Sequence, residues 1–131
     1  DLRMSRGLGD VYKRQPLRNW WKEDPEKTQR YYNHVLQRIG EAPDECTAEI
    51  VAQIISNHLK TRSMLTIIPL QDWFAMDDSI KRKDIESERI NVPANSTHYW
   101  RYRMHITLEQ LLQADNLNNK IVSLIKEAGR K

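Results

Sequence analysis

Apolar and polar positions alternate along the chain with two different periods. Asp24-Pro25-Glu26 reads as a helix start: Asp24 can accept from free backbone N–H groups, Pro25 fits the first helical position, and Glu26 suits the positive end of the dipole. Tyr31, Tyr32, Val35, Leu36 and Ile39 then recur at helical spacing until Gly40 stops the run. A second helix is predicted after the turn residues Pro43 and Asp44, with Ile50, Val51, Ile54, Ile55 and Leu59 as its apolar face. The next segment, SMLTIIPLQDW, changes character. Met64 to Ile68 is short, apolar on successive residues and partly β-branched, and Pro69 closes it, which predicts a strand buried on both faces. From Asp77 to Thr97 the pattern is polar and irregular. Thr107 and Gln110 then spell a capping box, Ile106 is placed to staple onto Leu111, and Leu117, Ile121, Leu124, Ile125 and Ala128 give a terminal amphipathic helix ending at Gly129.

A strand of this kind needs neighbours on both sides, and the chain offers no second segment of that quality. The expectation is therefore an incomplete α/β unit, mostly helical, whose one buried strand at about 64–68 has partners upstream of this sequence. Left alone, its edges should make the chain prone to association. A helical interaction module is the alternative organisation, but it leaves TIIPLQDW unexplained.

The first fifteen residues fit neither pattern. Asp10 to Gln15 back-translate as GAT GTG TAT AAG AGA CAG, and Ser5 to Gly9 extend the same frame into a transposase-type sequencing adaptor. Residues 1–15 are accordingly expected to be a non-native, disordered leader, with 16–131 forming the domain proper. This changes the reading of charge. The chain carries +3, but Arg3, Arg6, Lys13 and Arg14 against Asp1 and Asp10 account for +2 of it, leaving +1 for the remainder. A near-neutral remainder gives no reason to expect a nucleic-acid partner. No apolar run reaches membrane-spanning length. The lone Cys46 forms no disulfide framework and suits a reducing, cytoplasmic compartment.

Candidate chemistry is sparse. His34, His58, His98, His105 and Cys46 show no tight ligand spacing, so no metal site is expected. There is no Gly-x-Ser-x-Gly elbow and no glycine-rich phosphate loop. HYWRYRMH interleaves aromatic rings with arginines, a pattern that suits single-stranded nucleic acid, sugar rings or plain core packing. Core packing is favoured for at least two of Tyr99, Trp100 and Tyr102. Gln71 and Asp72 directly follow the predicted strand. Asp72 either faces a site at that strand's C-terminal end or caps the helical turn DWFAM, and the sequence weights these evenly.

PLRNWWKED, IIPLQDWFAMDD and ERINVPANSTHYWRYRMHITLEQLL, taken together and in this order, resemble the C-terminal part of the 4-alpha-glucanotransferase family, also called amylomaltase or disproportionating enzyme. LRNWWKED is most similar to the branch found in Bacteroides-type bacteria and the plant cytosolic enzyme. The resemblance implies a (β/α)₈ TIM barrel with Met64–Ile68 as its last strand. It implies transfer of α-1,4-glucan segments between maltooligosaccharides by a retaining double displacement on two carboxylates, without metal or organic cofactor. It also implies that the nucleophile, the acid/base and a third carboxylate in a His-Asp motif all precede Pro16. No residue of this chain is therefore assigned catalysis, and the chain itself is expected to be inactive. Asn91 in RINVP matches a position that contacts glucan, Arg89 would orient that loop, and Gln71 and Asp72 would lie at the active-site end. Arg18 and Trp20 would support the His-Asp motif, and Trp100 and Arg103 would be structural.

Overall fold

The most deeply buried apolar stripe organises the fold. In the computed structural model, which describes residues 15–90, 92, 94–97, 99 and 101–130, the elements run α1 (Leu17–Glu23), α2 (Pro25–His34), α3 (Ala48–Leu59), α4 (Leu70–Phe74), a 3₁₀ turn (Glu86–Glu88), α5 (Leu108–Leu112) and α6 (Asp115–Glu127). Helix α3 starts where Thr47 accepts a hydrogen bond from the Ile50 N–H. Ile50, Val51, Ile54, Ile55 and Leu59 are all buried, at the 3–4 residue spacing that puts them on one face. Trp21 of α1, Leu36, Cys46, the run Phe74-Ala75-Met76 and Leu117 of α6 close over that face. Helix α6 packs along α3, and Ile121, Leu124, Ile125 and Ala128 continue its predicted apolar stripe, partly buried against the core. Burial pushes the Cys46 thiol up to about 12, which leaves it a small core group rather than a nucleophile.

Helices α1 and α2 meet through aromatic pairs. Trp20 stands edge-on to Tyr31 and Trp21 to Tyr32, at centroid distances of 5.2 and 6.4 Å. The indole N–H of Trp21 donates to the Pro43 carbonyl at 2.8 Å. Asp24 caps α2 as expected, accepting from the Lys27 N–H. The helix ends earlier than its apolar period suggests, at His34 rather than near Gly40. Leu36 turns into the core, while Ile39 is exposed. The reason is local competition. Gln29 and Asn33 donate to the Gly40 carbonyl, Asn33 to that of Arg38, and Gln53 of α3 to that of Leu36. Side-chain amides thus replace the helical ladder across this turn.

The predicted strand is corrected by the structure. Among the described residues there is no strand, and Met64, Leu65 and Ile67 are 99, 70 and 59% exposed. Only Ile68 packs against the core. The physical cause is the one that made the segment conspicuous: a strand exists by virtue of inter-strand hydrogen bonds, and the described residues supply no partner. The segment is held at its start by Arg130, whose guanidinium donates to the carbonyls of Leu59, Thr61 and Ser63. At its other end Pro69 leads into α4.

The capping box is present. The Gln110 N–H donates to Thr107 Oγ1 at 3.1 Å and the Thr107 N–H to Gln110 Oε1 at 2.8 Å. Two expectations follow. Ile54→Ala should cost about 2–5 kcal/mol, because it opens a cavity in the core. Leu65→Lys should leave stability within about 0.5 kcal/mol, as for an exposed position. Thermal unfolding of the two variants checks both, and a large loss at Leu65 would restore the buried strand.

A buried polar hub as the candidate functional site

Three stretches that are distant in sequence converge at the start of α1. The first is α1 itself, entered from Pro16. Its leading N–H groups have no intrahelical partner, and the Leu17 N–H donates to Asp72 Oδ1 at 2.8 Å. The second stretch is α4. Pro69 occupies its N-cap position without a side-chain cap, so Asp72 does not cap the turn DWFAM; its carboxylate reaches across to α1 instead. The third is the 82–89 loop. Arg18 Nη1 donates to the Arg82 carbonyl at 2.6 Å, Asn19 Nδ2 to Glu86 Oε1 at 3.2 Å, and Gln71 Nε2 to the Glu88 carbonyl at 3.3 Å.

At the centre lies Glu88. Its residue is 1% exposed. Arg18 Nη1 is 3.6 Å from Glu88 Oε2, and neither carboxylate oxygen has a hydrogen bond among the described residues. Burial pushes the Glu88 carboxyl up to about 7, against the opposing pull of Arg18 and then Arg82. The phenol of Tyr102 is also buried without a hydrogen-bond partner, and its pKa is raised by burial first and by Glu88 second. Arg82 joins the hub to the last third of the chain: it donates to the Ser87 and Arg103 carbonyls and lies 5.5 Å from the centroid of the Tyr102 ring.

The sequence-predicted site residues are placed as follows. Gln71 and Asp72 are both buried, and each holds the backbone of another element. Arg89 is half-buried, 3.5 Å from Glu86. Through Glu86 it is linked to Asn19 of α1. Asn91 lies outside the described residues, as do His98 and Trp100. Tyr99 is exposed with Arg101 over its ring, whereas Tyr102 is half-buried. Trp20 and Arg18 are separated by role: Trp20 packs on Tyr31, and Arg18 enters the hub.

From sequence, Glu88 is set aside with Asp72, Asp77 and Asp78 as a carboxylate that matches none of the family's catalytic ones, and no structural role is foreseen for it. The signal is the spacing. In a 3₁₀ turn residues three apart share a face, so Glu86 and Arg89 pair on one side while Glu88 points to the other. Among the described residues no three His, Cys, Asp or Glu side chains cluster as a metal site. His58 bonds the Ile54 carbonyl and His105 that of Ile80.

Comparison with known proteins places these elements in a wider frame. A family model described as 4-alpha-glucanotransferase matches residues 13–109. The chain is 39% identical over 114 residues to 4-alpha-glucanotransferase DPE2 of Oryza sativa subsp. japonica, covering 87% of this chain and 12% of that protein. It is 29% identical over 111 residues to a 4-alpha-glucanotransferase of Chlamydia trachomatis, and 26% identical over 110 residues to that of Chlamydia caviae. Each match covers 82% of this chain and 20% of the relative. The chain thus spans a fifth or less of the length of these relatives. No solved structure matches it.

Asp72→Leu should destabilise the chain by about 1.5–3 kcal/mol, since it removes the charged acceptor of the Leu17 N–H. Asp72→Asn, which keeps an accepting oxygen, should lose less. Urea unfolding of the two variants measures the difference.

Proposed function

Because the chain belongs to the 4-alpha-glucanotransferase family, we propose that it is a portion of the catalytic TIM barrel of such an enzyme and that its substrates are α-1,4-glucans and maltooligosaccharides. The observation that carries this reading is the family match across residues 13–109, which spans all three stretches that converge in the hub. In this reading the enzyme moves α-1,4-glucan segments from donor to acceptor with retention, through a glycosyl-enzyme on one carboxylate and proton transfer by another. Residues 16–131 contribute the wall around that chemistry rather than the reacting groups. Asn91 and Arg89 contact or frame the glucan. Gln71 and Asp72 hold the active-site end of α4 to α1 and to the 82–89 loop. Residues 1–15 stand apart as a non-native leader. The back-translation of Ser5 to Gln15 supports this, while the family match, which begins at residue 13, overlaps the last three residues of that leader.

The barrel reading also gives the exposed stretch 64–68 a role. Its apolar side chains suit a strand that pairs in the whole barrel. We place the enzyme in the cytoplasm, in keeping with a single buried, free cysteine. Among the described residues no helix is long and apolar enough to cross a membrane.

Two measurements test the reading. The 131-residue chain should release no glucose from maltotriose, and robust turnover would overturn the assignment of catalysis to residues outside it. In NMR titrations with maltoheptaose, shifts should concentrate on residues 70–72 and 86–92. Asn91→Ala should weaken that binding about 5–10-fold, the loss of one hydrogen bond. Unperturbed spectra at millimolar sugar would count against the glucan wall.

A further inference from the structure

The hub contains a group that the glucan-wall reading leaves unused. Glu88 is a carboxylate with almost no exposure and no hydrogen bond to either oxygen among the described residues. Its cation, Arg18, stands at 3.6 Å with the nearer nitrogen already donating to the Arg82 carbonyl. A buried carboxylate in that position is tolerated far better as the neutral acid than as the anion. Ionising it would favour any arrangement that lets water reach it. The element free to give way is the one Glu88 belongs to. The 3₁₀ turn is a single turn held to α1 and α4 by Arg18, Asn19 and Gln71. Arg18, Asn19, Gln71 and Asp72 sit on α1 and α4, beside the buried core residues Trp21, Phe74 and Met76.

We propose that Glu88 is a positioning residue, a proton-gated pin that holds the 82–89 loop and the glucan-framing Arg89 against α1 while uncharged and loosens them when ionised. The role of Arg89 rests on the glucan reading above; the pin itself does not. The charged and titratable groups facing Glu88 come from every element around it: Arg18 on α1, Asp72 on α4, Arg82 and Asp84 in the loop before it, and Tyr102 in the segment beyond. The two arginines favour the anion, and the two aspartates favour the acid.

The sign follows from linkage. The carboxyl rises from an ordinary 4.5 to about 7 in the closed turn. The closed turn therefore binds the proton more tightly than the open one. Its extra stability is complete below 4.5 and is lost as pH climbs through about 7. Between pH 6 and pH 8 this amounts to about a tenfold change in the closed-to-open ratio.

Hydrogen–deuterium exchange on the 131-residue chain tests it. Protection of amides 84–90, corrected for the intrinsic pH dependence of exchange, should fall about tenfold from pH 6 to pH 8. Amides in α3 should not follow. Glu88→Gln, uncharged and of the same shape, should abolish the dependence, and Glu88→Asp should retain its direction. Flat protection in the wild type overturns the proposal whatever the variants do, and so does an undiminished fall in Glu88→Gln. Maltoheptaose titration of the same samples separates the two readings. With the exchange pattern present, absence of sugar binding at both pH values removes the glucan assignment alone. Binding that weakens with pH in the wild type but not in Glu88→Gln ties the pin to the substrate.

Discussion

One twelve-residue apolar helix bears the whole assembly. Helix α3 buries six residues, five of them large apolar side chains in a single stripe, and each of its neighbours contributes one or a few groups to cover them. Trp21 arrives from α1, Leu36 and Cys46 from the turn between α2 and α3, Phe74 to Met76 from the end of α4, and Leu117 from α6. Among the described residues none of these neighbours belongs to a second core. The apolar area that drives folding is therefore shared through α3, and the short helices α1, α4 and α5 owe their persistence to docking rather than to intrinsic propensity.

That arrangement decides which parts of the fold were legible in the sequence. The stripes of α3 and α6 stand out at helical spacing, and the caps at Asp24 and Thr107 are read from two or three residues alone. Two errors share a cause. Val35 and Ile39 continue a helical period, and Met64 to Ile68 form a continuous apolar run, yet both segments leave large side chains in water. A hydrophobic pattern states what a segment can bury, not whether anything is available to bury it. At 35–40 the amides of Gln29, Asn33 and Gln53 capture the backbone first. At 64–68 the described residues supply no second strand.

The hub was half legible. Gln71 and Asp72 were singled out because of where they follow the apolar run, and the structure brings both to the same junction. The contacts that complete it were not foreseeable: the Leu17 N–H meets Asp72 across 55 residues, and Arg18 and Asn19 reach Arg82 and Glu86 across 64 and 67, so the junction exists only once the chain has folded back on itself. The use of side-chain carboxylates and amides to satisfy the ends of short helices also explains why the region is buried and polar at once. Three brief elements leave many backbone groups unpaired, and Asp72, Asn19 and Gln71 supply the contacts between them.

Arg130 closes the opposite end of the α3–α6 pair. Its guanidinium gathers three carbonyls from the residues that leave α3, fastening the tail of one helix to the tail of the other. The two rods are thereby joined like tongs riveted at one tip. At its leading end, where the chain enters from the short α5, α6 is seated instead by the fully buried Leu117, and Asn118 and Lys120 donate to the Leu111 and Met76 carbonyls. The helix is thereby seated by apolar packing near its start and by the hydrogen bonds of a cation just past its end.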